Sequence, residues 1–371
     1  MIDKDFWKGK NVFVTGHTGF KGGWLSLWLS ELGANVSGFS LSPHTNPNLF
    51  TIAKIFDRTK NFFGDITDYH RIKETLLKKK PEIVFHLAAQ ALVRYSYLHP
   101  IETYQTNVIG TANILEAIRY CPSVQAAVIV TSDKCYENKE WDWGYREFEP
   151  MGGFDPYSSS KGAAELIIAG YRRSFFQSNS SGINTHASIA SARAGNVIGG
   201  GDWSEDRLIP DFFRAVKSGE EMLVRFPNAI RPWQHVLEPL RGYLLLAQDL
   251  FNQKQWAIDA WNFGPKEDDA RSVRWILDKL CSRNEWKVSL KNLDIIDLPH
   301  EAHYLKLDIS KTRNRLGWEP VLQLEKALDW VSDWYQLWIS GKDPQKITIQ
   351  QIYDYTDIMK SYHRERNLFV Q

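Results

Sequence analysis

Asn11-Val12-Phe13-Val14-Thr15 is a short apolar run that leads into Gly16-His17-Thr18-Gly19-Phe20-Lys21-Gly22, and the helical pattern Trp24 to Leu32 follows. A strand that hands over to a helix through three glycines constrains the fold more than any other feature of this chain. Glycine lets the backbone turn tightly at a strand end. The unpaired N–H groups of the first helical turn then face outward with partial positive charge. Such a turn receives a pyrophosphate, and G-x-x-G-x-x-G between a strand and a helix points to a dinucleotide.

The alternation continues. Strand-like runs at Asn35 to Phe39, Glu82 to Leu87 and Gln125 to Thr131, with a helical pattern at Thr103 to Arg119, repeat the unit. Repeated βα units build a doubly wound parallel sheet with helices on both faces. Ligands of such sheets lie at the carboxyl ends of the strands. The glycine turn, Leu87-Ala88-Ala89 and Thr131-Ser132-Asp133-Lys134 all stand at carboxyl ends, so three separate segments converge on one crevice.

Two strings carry reactive groups into that crevice: Thr131-Ser132-Asp133-Lys134-Cys135-Tyr136 and Tyr157-Ser158-Ser159-Ser160-Lys161. Tyr157 and Lys161 are four residues apart and share one face of a helix. A cation beside a phenol favours the phenolate and draws its pKa of about 10 toward neutrality. A phenolate held in this way takes the proton of an alcohol whose carbon gives a hydride to nicotinamide, with Ser132 steadying the same alcohol. Y-x-x-x-K also occurs on exposed helices, and its place after the third strand end is what gives it weight.

Charge excludes some functions. With 45 basic and 44 acidic side chains the net charge is +1, so no overall field draws the chain to nucleic acid or a membrane. Cys121, Cys135 and Cys281 are odd in number and lack C-x-x-C spacing, which argues against a disulfide framework or structural zinc and for the reducing cytoplasm. No His, Asp or Glu group has metal-ligand spacing, so no metal is expected. No apolar run reaches the roughly eighteen residues of a membrane span.

From about residue 10 to 335 the chain resembles the extended short-chain dehydrogenase/reductase superfamily, in its sugar-nucleotide-modifying branch. The resemblance implies NAD as cofactor, held by the turn Gly16, His17, Thr18, Gly19, Phe20, Lys21 and Gly22. Asp65 and Ile66 would lie beside the adenine, Leu87, Ala88, Ala89 and Gln90 along the cofactor, and Asn107 on the next helix. The acidic residue that usually closes the second strand is missing: the chain reads Ser37-Gly38-Phe39-Ser40-Leu41. No arginine follows closely to grip a 2′-phosphate, so NAD is expected over NADP. His17 and Lys21 replace small or apolar residues of the family, and a looser, exchangeable NAD is expected, with Lys21 pairing with a phosphate or crowding it. For the substrate, a nucleotide sugar, the resemblance implies Arg193, Asn196, Arg207, Leu208 and Arg231, with His303 and Tyr304 as candidates. The expected organisation is a Rossmann-type domain over residues 1–190 with a return segment at about 233–262, and a smaller mixed α/β substrate domain over 191–232 and 263–371. Pairing through helices at Thr103 to Arg119 and Pro156 to Phe176 implies a homodimer or homotetramer. The tail after about Gly341 is expected to be an extra helix or a subunit contact.

Asp133 and Lys134 separate two readings. An epimerase of this superfamily uses Ser132, Tyr157, Lys161 and NAD, and has no use for the other two. In the superfamily's 4,6-dehydratases the matching pair is aspartate then glutamate: a C4 ketone acidifies the C5 proton, a base removes it, and an acid protonates the departing C6 hydroxyl. Lysine in place of glutamate resembles the members that act on CDP-glucose, at the entrance to deoxysugar synthesis for O-antigen or lipopolysaccharide. A neutral lysine beside a protonated aspartic acid runs against about 6.5 pK units in water, and burial must offset much of that. Alternatively Lys134 stays charged and stabilises the enolate.

Overall fold

The computed structural model describes residues 2–177, 186–283, 286, 288–292 and 304–368. Seven parallel strands form the central sheet: β1 (Asn11–Thr15), β2 (Asn35–Ser40), β3 (Lys60–Phe63), β4 (Ile83–His86), β5 (Ala126–Val130), β6 (Ser188–Arg193) and β7 (Ala260–Asn262). Their order is 7-6-5-4-1-2-3. The order reverses between β4 and β1, which opens a crevice at their carboxyl ends.

Each central strand is apolar on both faces because helices cover both. Val12 and Val14, Ile83 and Phe85, and Ala126, Val128 and Val130 point to one core. Phe13, Val84, Ala127 and Ile129 point to the other. This is the period of two expected of a strand. The first core takes in helices α1 (Phe20–Glu31) and α6 (Leu237–Phe251), and the second takes in α2 (Tyr69–Lys79), α3 (Gly110–Arg119) and α4 (Pro156–Tyr171). The expected helix at Thr103 to Arg119 begins earlier, at Pro100, and passes through a π-turn at Gln105–Ile109 before α3.

Small strand pairs carry the substrate side: Val197–Ile198 with Gln234–His235, Ile230–Pro232 with Ala270–Ser272, and Met222–Val224 with Leu290–Asn292. Helix α5 (Leu208–Ser218) follows the first of these segments, and α7 (Leu324–Ile339) precedes the last helix. That helix, α8 (Pro344–Leu368), is the extra element expected of the tail. It packs on the cofactor side of the molecule, where Tyr355 meets Trp28 of α1 edge to face at 5.7 Å and donates a 2.7 Å hydrogen bond to buried Glu238. Among the described residues no helix is long and apolar enough to cross a membrane.

Candidate active site

Gly16 turns the chain out of β1 with φ +75°, and a Cβ there would stand 2.7 Å from the Ala88 nitrogen. Only glycine lets the two strand-end loops meet this closely. The Thr15 hydroxyl accepts from the Leu87 and Ala88 N–H groups, both at 3.2 Å. No side chain caps α1 at Gly19, so the start of that helix keeps donors for an anion. Ser40 is tied to Thr18 at 2.8 Å, the Asp65 carboxylate accepts from Thr67 N–H, and Ile66 is buried against Gly110. An unbranched turn, an uncapped helix start and aligned strand ends fit a dinucleotide.

Several expected cofactor contacts are committed elsewhere. The His17 ring lies against Gly38, edge-on to Phe50, with Nε2 3.0 Å from Asn61. Burial lowers its pKa to about 4, so it is neutral and turned away from the phosphate path. Lys21 lines the substrate cavity, within electrostatic reach of Arg207, Asp133, Lys161 and Asp202; burial lowers its pKa to about 8. Asn107 is buried, accepts from the Gln90 N–H and donates to Gln90 O and Ser160 Oγ, each at 2.9 Å. It holds the loop after β4 to α4, and the Gln90 side chain is spent on Leu92 and Thr103.

The reactive groups sit on two well-defined starts. Ser132 caps a 3-10 turn, Asp133–Cys135, accepting from Lys134 N–H at 3.2 Å and donating to Asp133 Oδ1 at 2.9 Å. Asp155 caps α4 by accepting from Ser158 N–H, and Pro156 fills the first helical position, which fixes Tyr157 in the first turn. Tyr157 and Ser132 line the same cavity. Lys161 Nζ is 6.0 Å from the Tyr157 ring centre. Both side chains are buried, and burial dominates: it raises the Tyr157 pKa to about 12 and lowers that of Lys161 to about 8. Burial thus opposes the drift toward neutrality expected of the phenol.

A cavity of about 910 Å³ opens over this turn, and Ser132, Asp133, Lys134, Tyr157, Asn196 and Lys21 face it. Asp133 Oδ2 accepts from Asn196 Nδ2 at 3.3 Å. Its carboxylate occupies the place a Cβ on Gly195 would take, at 1.9 Å. The sequence signal was a glycine just before Asn196, which itself has φ +49°.

Arg207, Leu208 and Arg231 also line the cavity. Arg207 is held by Asp202 at 3.1 Å, and Arg231 donates to its own neighbour's carbonyl, Ile230 O, at 3.0 Å. Sequence reasoning missed Arg94 and Arg225, which reach the cavity and pair with Asp206 at 3.6 and 2.6 Å. Arg193 does not face the cavity. Its side chain is 4% exposed and bound to Glu165, the Tyr136 hydroxyl and Glu147 O, so the expected substrate contact is replaced by an internal ion pair. Tyr304 accepts from Asn138 through its carbonyl, while its neighbour Leu305 lines the cavity. His303 lies outside the described residues. Among the described residues no group of His, Cys, Asp or Glu could hold a metal ion.

The comparisons agree with this architecture. The chain is 51% identical over 356 residues to the CDP-glucose 4,6-dehydratase of Salmonella typhimurium, covering 96% of this chain and 98% of that one. It is 25% identical to the dTDP-glucose 4,6-dehydratase of Xanthomonas campestris, covering 88% and 94%. Among solved structures, dTDP-glucose 4,6-dehydratase of Bacillus anthracis in complex with NAD superposes with TM-score 0.71 at 20% identity, covering 91% of this chain and all (100%) of that one. UDP-glucose 4-epimerase of Thermotoga maritima with UDP-glucose gives 0.73 at 21%, covering 89% and 99%. Residues 13–330 match the family described as GDP-mannose 4,6 dehydratase. By that match and by its relatives, the chain belongs to the GDP-mannose 4,6-dehydratase family of the extended short-chain dehydrogenase/reductase superfamily.

Proposed function

We propose that this chain is an NAD-dependent CDP-glucose 4,6-dehydratase, converting CDP-D-glucose to CDP-4-dehydro-6-deoxy-D-glucose and water. One observation carries the reading: the Ser132-Asp133-Lys134 turn opens onto the same cavity as Tyr157. Epimerisation needs the hydroxyl, phenol and Lys161, and leaves an acid and a further amine without work. The 51% identity to a relative named for CDP-glucose supports the choice of base.

The Gly16–Gly22 turn and the Leu87-Ala88 strand end would hold NAD, which when bound would supply the hydride acceptor for C4 and the hydride donor for C6. Ser132 and Tyr157 hold the C4 hydroxyl, and Tyr157 takes its proton. Lys161, as a cation, supports that proton loss. The resulting carbonyl acidifies C5–H, whose proton goes to Lys134. Asp133 protonates the departing C6 hydroxyl, so water leaves, and once C6 has taken the hydride the proton held on Lys134, exchanged with solvent, goes back to C5. Arg207 and Arg231, with Asn196 and Leu208, hold the nucleotide diphosphate, since an arginine fork gives two hydrogen bonds to one phosphate. The enzyme works in the cytoplasm as a homodimer or homotetramer and feeds deoxysugar synthesis for O-antigen or lipopolysaccharide.

The test is incubation with NAD and each of CDP-, UDP- and dTDP-glucose and GDP-mannose in heavy water, reading product mass. The expected result is loss of water with one deuterium gained, for CDP-glucose. Loss with a different donor reassigns the base. Unchanged mass with inversion at C4 makes the chain an epimerase.

A further inference from the structure

Behind the catalytic turn lies a buried charge that the proposed steps leave unused. Glu165 stands four residues after Lys161 and eight after Tyr157 on α4, so the three side chains share a face. Its side chain is 4% exposed. The carboxylate accepts from the Thr131 hydroxyl, one residue before Ser132, and from Ser191 Oγ at 2.8 Å and Arg193 at 2.7 Å. Arg193 in turn donates to the Tyr136 hydroxyl at 2.6 Å, and that hydroxyl donates to Asn262 at 2.8 Å. A single carboxylate thus ties the ends of β5 and β6 to the helix that carries Tyr157 and Lys161. A hydrophobic pair of similar volume often joins such elements as firmly, so stability alone does not account for the charge.

We propose that Glu165 is a positioning residue for the redox half of the reaction, its carboxylate keeping Lys161 protonated and holding Thr131, and so Ser132, in register with Tyr157. The inference rests on the reading that Tyr157 and Lys161 carry the C4 oxidation. The groups that face Lys161 are few. Cys135 approaches from the 3-10 turn, Lys21 from the first turn of α1 and His86 from the end of β4, with Tyr157 and Glu165 on α4 itself. Burial keeps the Cys135 thiol protonated and His86 neutral, and Lys21 opposes a second cation. Of these groups Glu165 is the one that supplies negative charge.

The decisive experiment titrates Lys161 itself. Lysine-selective nitrogen labelling gives an Nζ signal, assigned as the one lost in Lys161→Met, and its midpoint is read in the native enzyme, in Glu165→Gln and in Glu165→Gln/Arg193→Met. The double variant removes the arginine that the single one leaves unpaired, and so answers the question where the single variant fails to fold. For charges about 6 Å apart at an effective dielectric near 20, the midpoint is expected to fall by one pH unit or more in Glu165→Gln, and by less in the double variant, where the Arg193 cation leaves with the carboxylate. The same proteins, mixed with NAD and CDP-glucose, should lose about tenfold in the rate of NADH formation at pH 8 and little at pH 6.5, and Glu165→Asp should restore part of it. An unmoved midpoint in Glu165→Gln, or an equal loss at every pH, overturns the inference. A shifted midpoint in an enzyme that oxidises a sugar nucleotide at C4 without losing water overturns the functional reading and leaves this one standing.

Discussion

Gly195→Ala tests whether Asp133 belongs to elimination. A Cβ at 195 would stand 1.9 Å from Asp133 Oδ2, 2.0 Å from Cγ and 2.2 Å from Oδ1. To reach ordinary contact at about 3.4 Å the carboxylate must retreat by roughly 1.5 Å, out of its bonds to Ser132 and Asn196. Alanine fits the backbone here, since Gly195 is not among the glycines with positive φ, so the effect is local. Overpacking of this kind costs about 1–3 kcal/mol of stability, which a melting curve reads. Misplacing a catalytic group by about 1 Å costs around 10²-fold, or roughly 2.7 kcal/mol in the barrier. Ser132, Tyr157 and Lys161 keep their places, so C4 oxidation should proceed while elimination falls about a hundredfold. Stopped-flow absorbance would then show NADH accumulating in the first turnover with CDP-glucose, where the native enzyme holds little. Equal losses in oxidation and elimination, or an unchanged turnover, would refute the assignment of Asp133.

Three further outcomes are expected. Lys134→Met should cut elimination by about 10²–10⁴ and leave some C4 oxidation, read as trapped NADH absorbance; native turnover would remove Lys134 from the reaction. His17, His86 and His235 are buried with pKa values lowered to about 4, 3 and 3, chiefly by desolvation. Since the unfolded histidines bind protons first, the stability they contribute is complete above pH 6.5 and is lost as pH falls toward 4, up to roughly 3 kcal/mol for His17 alone; a melting temperature that stays level from pH 6.5 to 4 would contradict it. Tyr355→Phe should cost about 1–3 kcal/mol by removing a buried donor from Glu238, with activity per folded molecule retained.

Much of the scaffold was readable in advance because β1, β2, β4 and β5 are apolar on both faces and end where polar or glycine turns begin. Their observed ends differ by about one residue from those read off the chain. β3 escaped notice: Lys60–Phe63 is a four-residue edge strand whose first side chain is exposed, too short to show a period. The reactive residues were legible because Ser132-Asp133-Lys134 and Tyr157/Lys161 are local patterns. What could not be read was long-range. Arg193 looks like any phosphate-binding arginine until Glu165, 28 residues away, is seen beside it. The space for Asp133 is made by Gly195, and Asp206 joins Arg94 to Arg225, contacts set by the packing of separate layers. The acidity of Tyr157 also depends on how deeply its helix is buried, which no spacing reveals.

The position of α8 has a consequence for biosynthesis. Trp28 emerges early from the ribosome, but Tyr355, which covers it, follows 327 residues later, the difference of the two residue numbers. At about 5–20 residues per second that interval is roughly 15–65 s. Throughout it the outer side of the cofactor-binding helix offers an indole to any apolar surface nearby. Glu238, also already made, waits for the same arrival to receive its phenolic partner. The nascent cofactor half therefore keeps an unfinished apolar face, and slowing translation of the last stretch should lengthen its exposure and raise its aggregation.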